Sequence, residues 1–370
     1  MAKFSDEDRT ALRDGLDRLL ADRGGEAAVR AAMETPAGYD ADLWRRLADM
    51  GIVGLIVDEA HGGSGAGPVE LETVMESAGA ALLCGPFLAS GVMAASLLDA
   101  LGDIHATARH LPGIAAGTTV ATVAITGDRG LWTPEAVDVR ATRAGEGWRL
   151  DGVASYVLHG QTADVIFVVA DGPDGPAVFE VDPQATDLDV KALPTFDHTL
   201  RLARLTFAAT PARRLAAAIP VWDAVRRALD LALVALAGEQ AGGARRVLDF
   251  TADYARTRVQ FGRAIGSFQA IKHMAADLLL ETESATSAAR HAAKRLAQNA
   301  PDAAAAVALA AFACADAFTT VTATSIQMHG GIAFTWGHPA HLYLRRARAD
   351  AQLFGTPTVH RERYLQALGA

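Results

Sequence analysis

The chain has 370 residues, 51% hydrophobic and 6% aromatic, with a formal net charge of −9. That length supplies two or three domains with ample core, and the acidic balance argues against non-specific nucleic-acid binding. The two cysteines, Cys84 and Cys314, lie far apart and offer neither a disulfide framework nor zinc-ligand spacing, as expected in a reducing cytoplasm.

The opening MAKFSDEDRTALRDGL is charged throughout, unlike a signal peptide. Phe4, Ala11, Leu12, Leu16, Leu19 and Leu20 mark a first amphipathic helix, and Leu43, Leu47, Met50 and Ile52 a second that stops near Gly51. An apolar run then meets a glycine-rich turn, Gly63-x-Gly65-x-Gly67-Pro68. It lacks the third glycine of a dinucleotide-binding turn and reads as a loop opening a helix at Pro68. Residues 1–117 are predicted to be a helical domain.

From residue 118 the texture changes. TTVATVAIT, DVRAT, WRLDGVASYVL, VIFVVA, AVFEVD and LRLARLTF are β-branched or alternating runs separated by turns such as DGPDG. Residues 118–216 read as a central antiparallel β domain. From Pro220 helical spacing returns along Val221, Val225, Ala228, Leu229, Ala232, Leu233, Leu236 and Ala237. Further helices are expected over 268–298, 302–329 and 339–352, followed by a tail, so 217–370 form a four-helix-type bundle. The fold class is α+β, mainly α. The longest apolar run, near 229–238, is too short for a bilayer, and a soluble cytoplasmic protein without membrane contact is expected.

Two stretches carry chemistry. Residues 254–277 place Arg256, Arg258 and Arg263 around Phe261, Gly262 and Gly266, a mixture suited to a ligand with phosphates and rings; composition alone also allows a basic helix end and a turn. QMHGG, 327–331, pairs hydrogen-bonding side chains with glycines that admit a close ligand, or is a helix C-terminus. His338 and His341 have no carboxylate nearby in sequence, and no metal site is expected.

RTRVQFGRAIGSFQAIKH resembles the flavin-binding signature RxQFGxxIxxFQ of the acyl-CoA dehydrogenases through Arg258, Gln260, Phe261, Gly262, Ile265, Phe268 and Gln269. QMHGGIAF, followed by His338-Pro339 and YLRRARAD, is similar to that family's QxxGGxG…P…RD segment. ASYVLHGQTADVIFVVA resembles its central strand pair. The resemblance covers essentially the whole chain and implies an acyl-CoA dehydrogenase-like fold, non-covalent FAD and an acyl-CoA substrate. It implies that Arg258 and Gln269 hold the FAD of a neighbouring subunit, with Phe261 and Phe268 beside the nucleotide. Gln327, His329, Gly330 and Gly331 would follow the pyrophosphate. Tyr156 stands at the flavin-side strand position usually held by Trp, Leu158 where Thr is usual, and Thr126 begins a degraded form of the TEPxxGSD loop.

The reaction implied is α,β-dehydrogenation of the thioester, which needs a carboxylate to remove the α-proton. Phe354 occupies the family's usual base position in Leu353-Phe354-Gly355-Thr356, and Ala232 the alternative one on the preceding helix. The resemblance therefore points to the base-lacking subunit of a heteromeric enzyme of the steroid or bile-acid side-chain type, with electron-transfer flavoprotein as acceptor. The alternatives are a self-sufficient homo-oligomer using Glu239, a non-redox scaffold of the same fold, and an oxygen-using flavin relative. Glu239 reads more readily as a structural carboxylate paired with an arginine.

Overall fold

Cap chemistry sets where the first helix begins. Ser5 accepts from the Asp8 N–H while Asp8 accepts from the Ser5 N–H, a reciprocal box that opens α1 (Asp6–Arg23). In the computed structural model, which describes residues 4–369, α2 (Glu26–Glu34), α3 (Ala41–Asp49), α4 (Pro68–Ala80), α5 (Ala95–Leu101) and α6 (Ile104–Ala115) follow. Next come β1 (Ala121–Ala124), β2 (Asp138–Ala144), β3 (Gly147–Leu158), β4 (Val165–Gly172), β5 (Gly175–Val181), β6 (Leu188–Ala192) and β7 (Leu202–Arg214). The 37-residue α7 (Val221–Thr257) leads to a short hairpin, β8 (Val259–Gln260) and β9 (Arg263–Ala264). Then α8 (Gln269–Ala297), α9 (Ala303–His329), α10 (Ala340–Asp350) and α11 (Pro357–Ala367) complete the chain. The predicted order of helices, strands and helices is present, mainly α.

Three features depart from the sequence reading. The expected tail is helical, because Thr356 accepts from the Val359 N–H and Pro357 occupies the first turn of α11. Residues Phe87–Ala94 form a π-helix. The longest apolar segment is not 229–238 but α9 with its continuation to Phe334, long and apolar enough to cross a membrane by length and composition. In this fold α9 is a core helix, with Val307, Cys314, Phe318 and Val321 at most 1% exposed. Its alanines let α8 and α11 approach closely.

The chain divides into two compact units. One comprises Ala32–Gly67 and Cys84–Ala232. Its sheet runs β1-β4-β2-β3-β7-β5, and β5 also pairs with β4, so five strands close on themselves. The DGPDG turn joins β4 to β5 at Gly172 and Gly175. Most pairings are antiparallel as expected, but β1 and β2 run parallel to β4. The direction of such non-local pairs is set by tertiary packing rather than by the strands' own composition. Leu150, Ile166, Val168, Phe179 and Leu205, all fully buried, fill the interior, each contributing about 1.5–3 kcal/mol of apolar transfer.

The other unit comprises Met1–Ala31, Pro68–Leu83 and Leu233–Ala370. Here α4 and α7 touch backbone to backbone. A Cβ on Gly242 would lie 1.9 Å from the Glu76 carbonyl oxygen, and one on Gly79 would lie 1.9 Å from that of Glu239. No larger residue fits either crossing point.

Candidate functional site

In the helical unit, the site grows from the end of α7. The Arg258 N–H still donates to the Tyr254 carbonyl at 2.8 Å. The chain then folds back through β8 and β9, with Val259 opposite Ala264 and Gln260 opposite Arg263. Phe261 and Gly262 make the two-residue turn with φ of 53° and 78°, the double left-handed geometry of a type I′ hairpin. Glycine tolerates this freely; Phe261 does not, and its ring is 93% exposed. Phe268 lies edge-on to it at 6.2 Å, with the Arg263 guanidinium 4.0 Å above the Phe268 ring. Gly266 lets the returning chain press against the Ala255 carbonyl, where a Cβ would sit 2.8 Å away.

Gln269 is the first residue of α8, whose N-terminus has no side-chain cap. Its leading N–H groups are open to an acceptor. Among the described residues, the exposed side chains of Arg258, Gln269 and Gln327 have no hydrogen-bond partner within the chain. Their donors are available to a ligand.

The second motif closes onto the first through aromatic rings. Tyr254 stacks on His329 with centroids 4.4 Å apart, and its hydroxyl donates to the His329 carbonyl at 3.3 Å. His329 Nδ1 donates to the Ser325 carbonyl at 2.8 Å, and the ring also meets His338 and Phe250. Burial holds His329 below the ordinary histidine pKa, against the pull of the Ser325 carbonyl. Its ring is thus a neutral structural prop beneath the turn. The residues above it are open: Gly330 adopts φ 67° and ψ −146°, a glycine conformation. Nothing lies within 4 Å of where a Cβ on Gly331 would be. The fold does not itself require glycine at 331, whereas a ligand approaching the backbone would.

The positions that the resemblance gives for a base, and the candidate Glu239, are all buried. Phe354 is 4% exposed and Ala232 fully buried. Glu239 is also buried, and its carboxylate is held by the Arg346 guanidinium from α10. Arg346 is the partner of Glu239 that the sequence did not single out. The two lie 107 positions apart, so no local pattern pairs them.

In the β-containing unit, a bulge interrupts β3 against β7 between Ala154 and Val157. Tyr156 sits on it with φ 57°, 38% exposed, a conformation rare for an aromatic residue and common near functional sites. The Tyr156 hydroxyl donates to the Asp128 carbonyl at 3.3 Å. The Thr126 carbonyl accepts from the Ser155 N–H at 2.8 Å, and the Thr126 hydroxyl donates to the Leu131 carbonyl at 2.7 Å. Arg204 grips the Asp128 carboxylate with two donors at 2.9 and 3.0 Å, and Ser155 donates a third bond. Arg204 and then Ser155 draw the Asp128 pKa down to about 2. The shortened loop that begins at Thr126 is therefore fastened to β3 and β7. Leu158 is buried, its side chain has no polar group, and its carbonyl accepts from the Thr122 hydroxyl.

Residues 6–118 match the acyl-CoA dehydrogenase N-terminal domain and residues 222–369 the acyl-CoA dehydrogenase C-terminal domain. Acyl-CoA dehydrogenase IpdE2 of Mycobacterium tuberculosis is 35% identical over 352 residues, covering 95% of this chain and 94% of that relative. Among solved structures, the ChsE4–ChsE5 complex from Mycobacterium tuberculosis is 30% identical, with a TM-score of 0.90 over 100% of this chain and 99% of that one. A variant of the Tcur3481–Tcur3483 steroid acyl-CoA dehydrogenase is also 30% identical, with a TM-score of 0.88 over 98% of each chain.

Proposed function

The chain belongs to the acyl-CoA dehydrogenase family, and we propose that it is the FAD-holding subunit, without a catalytic base, of a heteromeric enzyme that oxidises a steroid-type acyl-CoA thioester. The observation that carries this reading is the filling of both base positions by apolar side chains, Phe354 and Ala232, while Arg346 occupies the nearby Glu239. Neither Phe nor Ala accepts a proton. A carboxylate already paired with a buried guanidinium is a poor general base, because taking up a proton breaks the ion pair.

The residues present fit FAD. Arg258 and Gln269 keep free donors beside the uncapped start of α8, and Gly330–Gly331 leave open space over exposed backbone. Arg258 would grip phosphate as a planar fork, and Gln269 would hydrogen-bond the nucleotide. The glycine pair would admit the pyrophosphate, and the rings of Phe261 and Phe268 would cover the nucleotide's apolar surface. Bound FAD supplies a hydride acceptor for the thioester's β-carbon. Phe261, Ile332, Phe334 and Trp336 are 47–93% exposed, apolar surface that a second subunit would cover. Two relatives at 30% identity are named as pairs of proteins, one of them a steroid enzyme, which supports both the second subunit and the substrate class. Electron-transfer flavoprotein is the proposed acceptor.

Expression of this chain alone and with a base-bearing acyl-CoA dehydrogenase partner tests the reading. FAD content and acyl-CoA-dependent bleaching are measured in each preparation. Bleaching is expected only with both chains present. Full turnover by this chain alone sinks the proposal, and absence of FAD from both preparations sinks the cofactor assignment.

A further inference from the structure

Directly after Glu239, α7 presents a second buried polar residue. Gln240 is 2% exposed, and its Oε1 has no hydrogen-bond partner. Across a small cavity stands His360 of α11, 4% exposed, with neither ring nitrogen in a hydrogen bond of acceptable geometry. Burial and then the Arg363 charge lower the His360 pKa to about 4, and the Gly355 carbonyl opposes this only weakly. The imidazole is therefore neutral, with one donor and one acceptor nitrogen. Asp350, 3% exposed at the end of α10, lines the same space. Leu233, Leu236, Ala311 and Ala315 form its apolar walls, and Leu353 and Gly355 its edge.

A buried amide oxygen without a partner costs about 1–3 kcal/mol. Here two side chains face that cost across one cavity. The space between the lining residues is narrow. It accommodates about one water, which needs two to four polar partners to be held.

We propose that Gln240, Asp350 and His360 form a buried water-binding site that fastens the turn 353–355 to α7. The water donates to Gln240 Oε1, accepts from the protonated ring nitrogen of His360, and has its second proton for the Asp350 carboxylate. Consecutive residues of α7 then hold the two last helices: Glu239 binds α10 through Arg346, and Gln240 binds α11 through the water. Gln240 and His360 are positioning residues for the turn that carries Phe354. The site does not depend on the FAD assignment.

A high-resolution crystal structure of the full chain, alone or in its complex, is expected to show one water within hydrogen-bonding distance of Gln240 Oε1 and a His360 ring nitrogen. A dry cavity that takes up xenon under pressure overturns the proposal. A double-mutant cycle supplies the second measurement. Gln240→Met and His360→Leu should each raise the unfolding equilibrium constant about tenfold, and together should cost little more than either alone, since each removes the same bridge. Losses that multiply to about a hundredfold overturn it. A Phe in place of His360 would fill the space, so His360→Phe should regain stability while the water density disappears; retained water density in that variant also counts against the site.

Discussion

Glu239→Gln separates a structural carboxylate from a catalytic one. The Glu239 and Arg346 side chains are 9% and 6% exposed, so solvent cannot replace the lost partner. Removing one member of such a pair costs about 3–5 kcal/mol, because the other charge stays buried. The contact from Arg346 to the Leu83 carbonyl is long, at 3.5 Å, and a neutral carbonyl does not substitute for a carboxylate. At about 2–4 °C per kcal/mol for a unit of this size, the melting temperature of Glu239→Ala should fall by roughly 10 °C, and that of Glu239→Gln by part of this. The double variant Glu239→Leu/Arg346→Met removes both charges and should recover most of the loss, since an apolar pair of similar volume is often neutral or stabilising. The assays are thermal unfolding of each variant and turnover of the assembled enzyme. An unchanged melting temperature in Glu239→Gln, accompanied by abolished turnover, would refute the structural assignment and make Glu239 the base.

Gly242→Ala forces a Cβ to within 1.9 Å of the Glu76 carbonyl; thermal unfolding should register a loss of about 1–3 kcal/mol or more, as for an overpacked core. Gly331→Ala is the converse, because its Cβ enters open space: the melting temperature of the apoprotein should stay nearly unchanged, while FAD retention on gel filtration drops at least about tenfold, the equivalent of ~1.4 kcal/mol. Equal losses in both assays would remove the argument for a ligand over Gly331. Glu72 is 2% exposed, and burial followed by the Glu76 charge pushes its carboxyl up to about 8, against the pull of Arg290 and Arg13. Between the ordinary value of 4.5 and about 8 the folded chain holds a proton that the unfolded chain has lost, so stability falls as pH rises through that window. Glu72→Gln should therefore melt higher than the parent above that window, with the advantage shrinking as the pH falls toward 4.5; a difference independent of pH would contradict the assignment.

What the sequence disclosed and what it withheld differ in range. Local periodicity carried the helices: the face of Val221, Val225, Ala228 and Leu229 belongs to one unbroken α7, and Pro68 does begin α4. The DGPDG turn likewise contains its own signal. The parallel pairing of β1 with β4 has none, since β2 and β3 intervene between Ala121 and its partner Val165. The same holds for Asp128 and Arg204, 76 apart, and for Glu239 and Arg346, 107 apart. An arginine partner for Glu239 was legible as an expectation, but its identity depends on how α7 and α10 pack. The helical tail carries its own cap signal, Thr356-Pro357, but α11 has little amphipathic contrast, so the periodicity that marks the other helices is weak there.

Phe354 links these observations. It is buried and adopts φ 61°, and Gly355 follows at φ 124°. A bulky residue in the left-handed region costs on the order of 1 kcal/mol or more and persists only where its surroundings over-determine the turn. Gly355 takes a conformation and a space that a side chain would not, since a Cβ there would lie 3.1 Å from His360 Nε2. Thr356 caps α11, and α10 is anchored to α7 by the Glu239–Arg346 pair. The turn thus keeps a demanding backbone shape around a buried side chain that does not take a proton. The turn lies between α10 and α11, and the Glu239–Arg346 pair ties α10 to α7. That packing holds together the same helical unit whose β8–β9 hairpin and Gly330–Gly331 turn leave their donors and open backbone facing outward.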